Sequence, residues 1–114
     1  MKTQEFNKII EEALESSRTV LVAKAIEYTK GDDDRLHNFN KAARITGKTR
    51  EECLWGFALK HLVSVTDIID EMSKDPKYIP SRDLVIEKFG DLRNYLLLLE
   101  ACIEDKRDNQ PLPF

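Results

Sequence analysis

Leu92-Arg93-Asn94-Tyr95-Leu96-Leu97-Leu98-Leu99-Glu100-Ala101-Cys102-Ile103 decides the fold. This stretch is apolar on almost every side of a helix, interrupted by Asn94 and Glu100. A helix of that kind has to be covered all round. A chain of 114 residues offers few helices for the purpose, so the pattern predicts a homo-oligomer. The stretch belongs to a long helix expected from Arg82 to about Asp105, with Ser81 as its N-cap.

Working outward, two more long helices and one short helix follow from period and punctuation. Over residues 4–29, Phe6, Ile10, Leu14, Leu21 and Tyr28 repeat near the helical period of about 3.6, and Ile9, Ala13 and Val20 widen the stripe. Gly31 is its expected stop, followed by the polar connector Asp32 to Arg35. Asn38 to Thr46 suits a short helix built on Phe39, Ala42, Ala43 and Ile45, closed by Gly47. Thr49 with Glu52 three residues later has capping-box spacing and opens the second long helix. Its stripe runs Leu54, Phe57, Ala58, Val65, Ile68, Ile69 and Met72, and Pro76 ends it. The expectation is an all-α fold with one helical domain over 1–105 and an extended or mobile tail over 106–114 carrying Pro111 and Pro113.

Composition narrows the function classes. The length excludes a two-domain enzyme. A net charge of −3 gives no general attraction to nucleic acid or an anionic membrane. The N-terminus lacks a secretory h-region, and the longest apolar run, Leu96 to Leu99, is far short of a bilayer span of ~20 residues. A cytoplasmic protein is expected, with Cys53 and Cys102 as two buried thiols rather than a required disulfide.

Polar residues on apolar faces are the informative positions. Lys24 falls on the first stripe between Leu21 and Tyr28, beside Glu27, and either snorkels, pairs internally or meets an anion. Lys60, Ser64, Asp67 and Glu71 share one line of the second long helix, with His61 alongside on the apolar face. Asp67, Asp70 and Glu71 approach the helix C-terminus, where acids oppose the dipole; a cation could offset that, or the face is simply solvated. In the third long helix Glu87, Asp91 and Asn94 lead directly into Leu98 and Cys102. Carboxylates at i and i+4 can reach one hard cation, or Lys24 or Lys60 can pair with Asp91. Phosphate loops, paired-cysteine zinc patterns and EF-hand spacing are absent, and Glu11-Glu12-Ala13-Leu14-Glu15 reads as a solvated acidic face.

Lys24-x-x-Glu27-Tyr28, Asn38-Phe39, Lys60-His61 and Glu87-Lys88-Phe89-Gly90-Asp91-Leu92-x-Asn94-Tyr95 together resemble small phage and prophage helical proteins of the nucleotide modification associated domain 1 type. More distantly they are similar to the all-α, MazG-like nucleoside triphosphate pyrophosphohydrolases. The resemblance covers roughly residues 20–104. It implies a MazG-like bundle and magnesium on Asp67, Glu71, Glu87 and Asp91. Ile68 and Lys88 stand where that family carries acids. It further implies a nucleotide or other phosphate-bearing ligand on Lys24, Glu27, Tyr28, Arg35, Asn38, Phe39, Lys60, His61 and Asn94, with Tyr28 or Phe39 stacking on the base. A phage-encoded chain would then work in the bacterial host cytoplasm. Three functions stay open: a magnesium-dependent pyrophosphohydrolase, a non-catalytic sponge for nucleotide signals, and a structural or interaction oligomer.

Overall fold

The computed structural model describes residues 1–23 and 33–108. Among them the chain is all-α: α1 (Thr3–Ala23), α2 (His37–Thr46), α3 (Arg50–Lys74) and α4 (Arg82–Asp108). Gly31 and residues 109–114 lie outside the described residues.

Local chemistry sets the boundaries. At Gly47 the backbone is left-handed (φ 71°), and its N–H donates to the Ala43 carbonyl, closing α2. Two residues on, the Glu52 N–H donates to Thr49 Oγ1 (3.1 Å) and the Thr49 N–H to Glu52 Oε1 (3.2 Å), so the expected capping box opens α3. Ser81 caps α4 as expected, accepting from the Leu84 N–H at 3.1 Å. One boundary differs: α4 runs to Asp108, so Lys106–Asp108 are helical rather than tail. Lys106 and Arg107 in the last turn suit the dipole, and an Arg107–Glu104 pair spans that turn.

The packing starts from the α3–α4 antiparallel hairpin, joined by the loop from Asp75 to Ser81. Phe57 lies against Tyr95, His61 beside Asp91, and Arg50 reaches the far end of α4. α2 packs on α3, and α1 lies along α4 in the same direction, tied by Arg82–Glu12 and Arg93–Ser17. The core is Leu36, Phe39, Leu54, Leu98 and Cys102, where α2, the start of α3 and the second half of α4 meet; Leu21, Tyr95 and Leu99 close over it.

Three expectations about this core are corrected. Phe6, Ile10 and Leu14 share a face, but α1 packs chiefly on α4 among the described residues, and they are exposed. On α3, Leu54, Ala58, Val65 and Ile68 are buried, whereas Ile69 and Met72 are exposed and Phe57 rests at the edge of the hairpin against Tyr95, 45% exposed. The all-round apolar stretch of α4 buries Asn94, Leu98 and Cys102 but leaves Leu96 44% and Ile103 47% exposed. The cysteines are free; Cys102 is buried, but Cys53 is half-buried, its Sγ 3.4 Å from Thr46 Oγ1.

Arg50 holds the three core helices together. It donates to the Cys102 carbonyl (2.9 Å) and to Asn40 Oδ1 (3.3 Å), and pairs with Asp105 Oδ2 at 2.8 Å. Asn40 in turn donates to Asp34, whose other oxygen accepts from the Leu36 N–H. Burial works against the Arg50 charge, but the hydrogen bond it donates to Asp105 and the neighbouring negative charges outweigh it and raise the guanidinium further above its ordinary value.

Candidate functional site

A pocket of about 160 Å³ opens where the end of α1 meets the hairpin, lined by Val20, Leu21, His61, Asp91, Asn94, Tyr95 and Leu98. The spacing of the helices puts these side chains together. Asp91, Asn94, Tyr95 and Leu98 step along one face of α4, while His61 reaches across from α3. The His61 ring stacks on Tyr95 at 4.9 Å with a 16° interplanar angle, and its Nδ1 lies 3.7 Å from Asp91 Oδ2. Asn94 is 7% exposed, and its Oδ1 is buried with no hydrogen-bond partner. A buried acceptor left without a donor costs about 1–3 kcal/mol.

The structure therefore brings His61, Asp91 and Asn94 together and adds Val20, Leu21, Tyr95 and Leu98, which the sequence did not mark as site residues. Tyr95 was quoted in the motif, and its signal was its i+4 spacing from Asp91. Val20 and Leu21 are apolar stripe residues that double as the pocket wall. Among the described residues Asp91 lies beside His61, not Lys60.

Other expected residues lie elsewhere. Phe39 is 3% exposed inside the core and cannot stack on a base. Arg35 is half-buried and donates from Nη2 to the Leu21 carbonyl at 3.1 Å, fastening the connector to the end of α1. Asn38 sits in the first turn of α2, and Lys60 is exposed on α3; neither lines the pocket. Lys24, Glu27 and Tyr28 lie outside the described residues.

The expected magnesium set does not assemble. Among the described residues no group of three or more His, Cys, Asp and Glu side chains converges as metal ligands would. Asp67, Asp70 and Glu71 are exposed along α3, with Lys74 in the last turn offsetting their opposition to the dipole. Glu87 pairs with Lys88 at 3.4 Å. In the acidic run of α1, Glu12 meets Arg82 (2.7 Å) and Glu15 meets Arg18 (3.2 Å). Among the described residues these carboxylates stand apart, three of them in contact with basic side chains.

No protein-family model, no curated protein and no solved structure matches the chain. Among the described residues, no helix is long and apolar enough to cross a membrane.

Proposed function

We propose that the chain is a nucleotide-binding protein that takes the base of its ligand into the α1–α3–α4 pocket. The orphaned Asn94 Oδ1 carries this reading. A base that presents an N–H donor beside an acceptor can use both ends of a carboxamide, as asparagine does when it meets an adenine edge. The volume agrees: a cavity of ~150 Å³ holds a benzene ring, so about 160 Å³ suits one heteroaromatic ring and not a whole nucleotide. His61 and Tyr95 supply aromatic faces, and the His61 imidazole supplies a cation for phosphate once protonated.

The resemblance to small phage helical proteins of the nucleotide modification associated domain 1 type, and more distantly to MazG-like enzymes, supports the same ligand class. Within this reading the bundle is MazG-like, the chain is a homo-oligomer, and magnesium arrives with the ligand's phosphates. The exposed apolar faces of α1, α3 and α4 favour the oligomer independently and would serve a purely structural assembly protein equally well.

Thermal melting against mono-, di-, tri- and cyclic nucleotides, with and without magnesium, tests the reading. A ligand at ~100 times its dissociation constant raises stability by about 2.7 kcal/mol. No shift with any of them overturns it in favour of the assembly protein. Phosphate release during the same incubation would mark hydrolysis, and a shift without release marks a non-catalytic binder.

A further inference from the structure

We propose that α4 carries a coiled-coil seam that docks the same seam of a second copy of this chain, antiparallel. Val85, Phe89, Leu92, Leu96, Leu99 and Ile103 follow one another by steps of four and three. That is the heptad a/d pattern, whose period of about 3.5 residues keeps one apolar line facing a partner helix. The line lies on the side of α4 turned away from Leu98 and Cys102; Val85 at its start borders the groove against Ile9 and Ala13 of α1, Phe89 stands between that groove and the open cleft, and the free part of the seam runs on to Ile103. Phe89, Leu96 and Ile103 are exposed, and Val85, Leu92 and Leu99 are half-buried. An open cleft of about 320 Å³ runs along its middle, lined by Phe89, Leu92, Leu96 and their neighbours.

The occupant follows from area and charge. The molecule exposes 8739 Å², against about 6,400 Å² expected of a folded monomer of 13.2 kDa. The difference exceeds the ~800 Å² per partner of a standard stable interface. A copy of the same helix matches the seam in length and period. Flanking charges set the direction. In a parallel pair Lys88 would face Arg93 of the second copy, a like-charge contact. In an antiparallel pair with Leu96 against Leu99, Arg93, whose Nε is held by Ser17, has its two Nη groups left to meet Glu100 of the second copy, twice over. Trp55, Leu59, Leu62 and Ile69 form a rival stripe on α3, but Thr66 breaks it.

Sedimentation equilibrium of the full chain at tens of micromolar tests the seam, with nucleotide absent so that the result is independent of the pocket. The wild type is expected to be a dimer. Leu96→Glu is expected to be a monomer with an unchanged helical circular dichroism spectrum, and Leu62→Glu to remain a dimer. Glu100→Arg, a surface change that leaves the fold intact, is expected to weaken dimerisation several-fold at low salt. A wild-type monomer overturns the proposal and gives the seam to a helix of a different protein. A dimer that survives Leu96→Glu, or is lost in Leu62→Glu alone, also overturns it. An unchanged constant in Glu100→Arg overturns the antiparallel pairing.

Discussion

Asn94 stands in a helix that leucine would serve better if stability were the only demand. Its buried Oδ1 has no donor, and replacing such a group by an apolar one of similar size is near neutral or stabilising. Asn94→Leu should therefore melt at or above the wild-type temperature while losing the response to nucleotide. A drop of several degrees would show instead that the amide is structural. The two thiols make a second contrast at this scale. Burial pushes the Cys102 thiol up against the opposing Arg50 charge, whereas Cys53 is half-buried. Alkylation of the native protein should modify Cys53 first, and peptide mass mapping would show the order. Residues such as His61 and Asn94 were legible in sequence because a polar group on an apolar stripe stands out. Phe39 was misread for the opposite reason: an aromatic side chain in a short amphipathic helix has the same pattern whether it closes a core or faces a ligand.

At the scale of elements, the sequence-local devices were the most legible. The capping box, the αL glycine and the serine cap each depend on residues within one turn, and all three stand as expected. Thr49→Ala should cost about 1 kcal/mol in chemical denaturation, as loss of an N-cap hydroxyl generally does. Gly47→Ala meets no neighbouring atoms, so its penalty is the left-handed backbone alone, about 1–2 kcal/mol. The Thr49 backbone N–H and hydroxyl hold the Glu52 carboxyl below its ordinary value. A depressed carboxyl adds stability that is present above its unfolded value of about 4.3 and is lost as the pH falls through the folded one. Wild type should therefore melt above Glu52→Gln at pH 7, and the gap should close as the pH is lowered past 4. What sequence could not show at this scale were contacts between distant elements. Arg50 and Cys102 are 52 positions apart, and no spacing rule joins them.

At the scale of the molecule, periodicity told which side chains share a face and not what each face meets. The stripe on α1 is genuine, yet among the described residues α1 lies chiefly along α4, and its Phe6, Ile10 and Leu14 remain in water. The apolar surplus of α4 is only partly covered within one chain, and Leu96 and Ile103 are among the side chains it leaves exposed. The pocket was only half legible, because its α4 residues form a local motif while Val20 and Leu21 join them through the tertiary fold. If the pocket holds a nucleobase against Asn94, titration calorimetry with the nucleotide giving the largest melting shift should show saturable binding by the wild type and none by Asn94→Leu at equal folded content; equal affinity for both would rule out this role for Asn94.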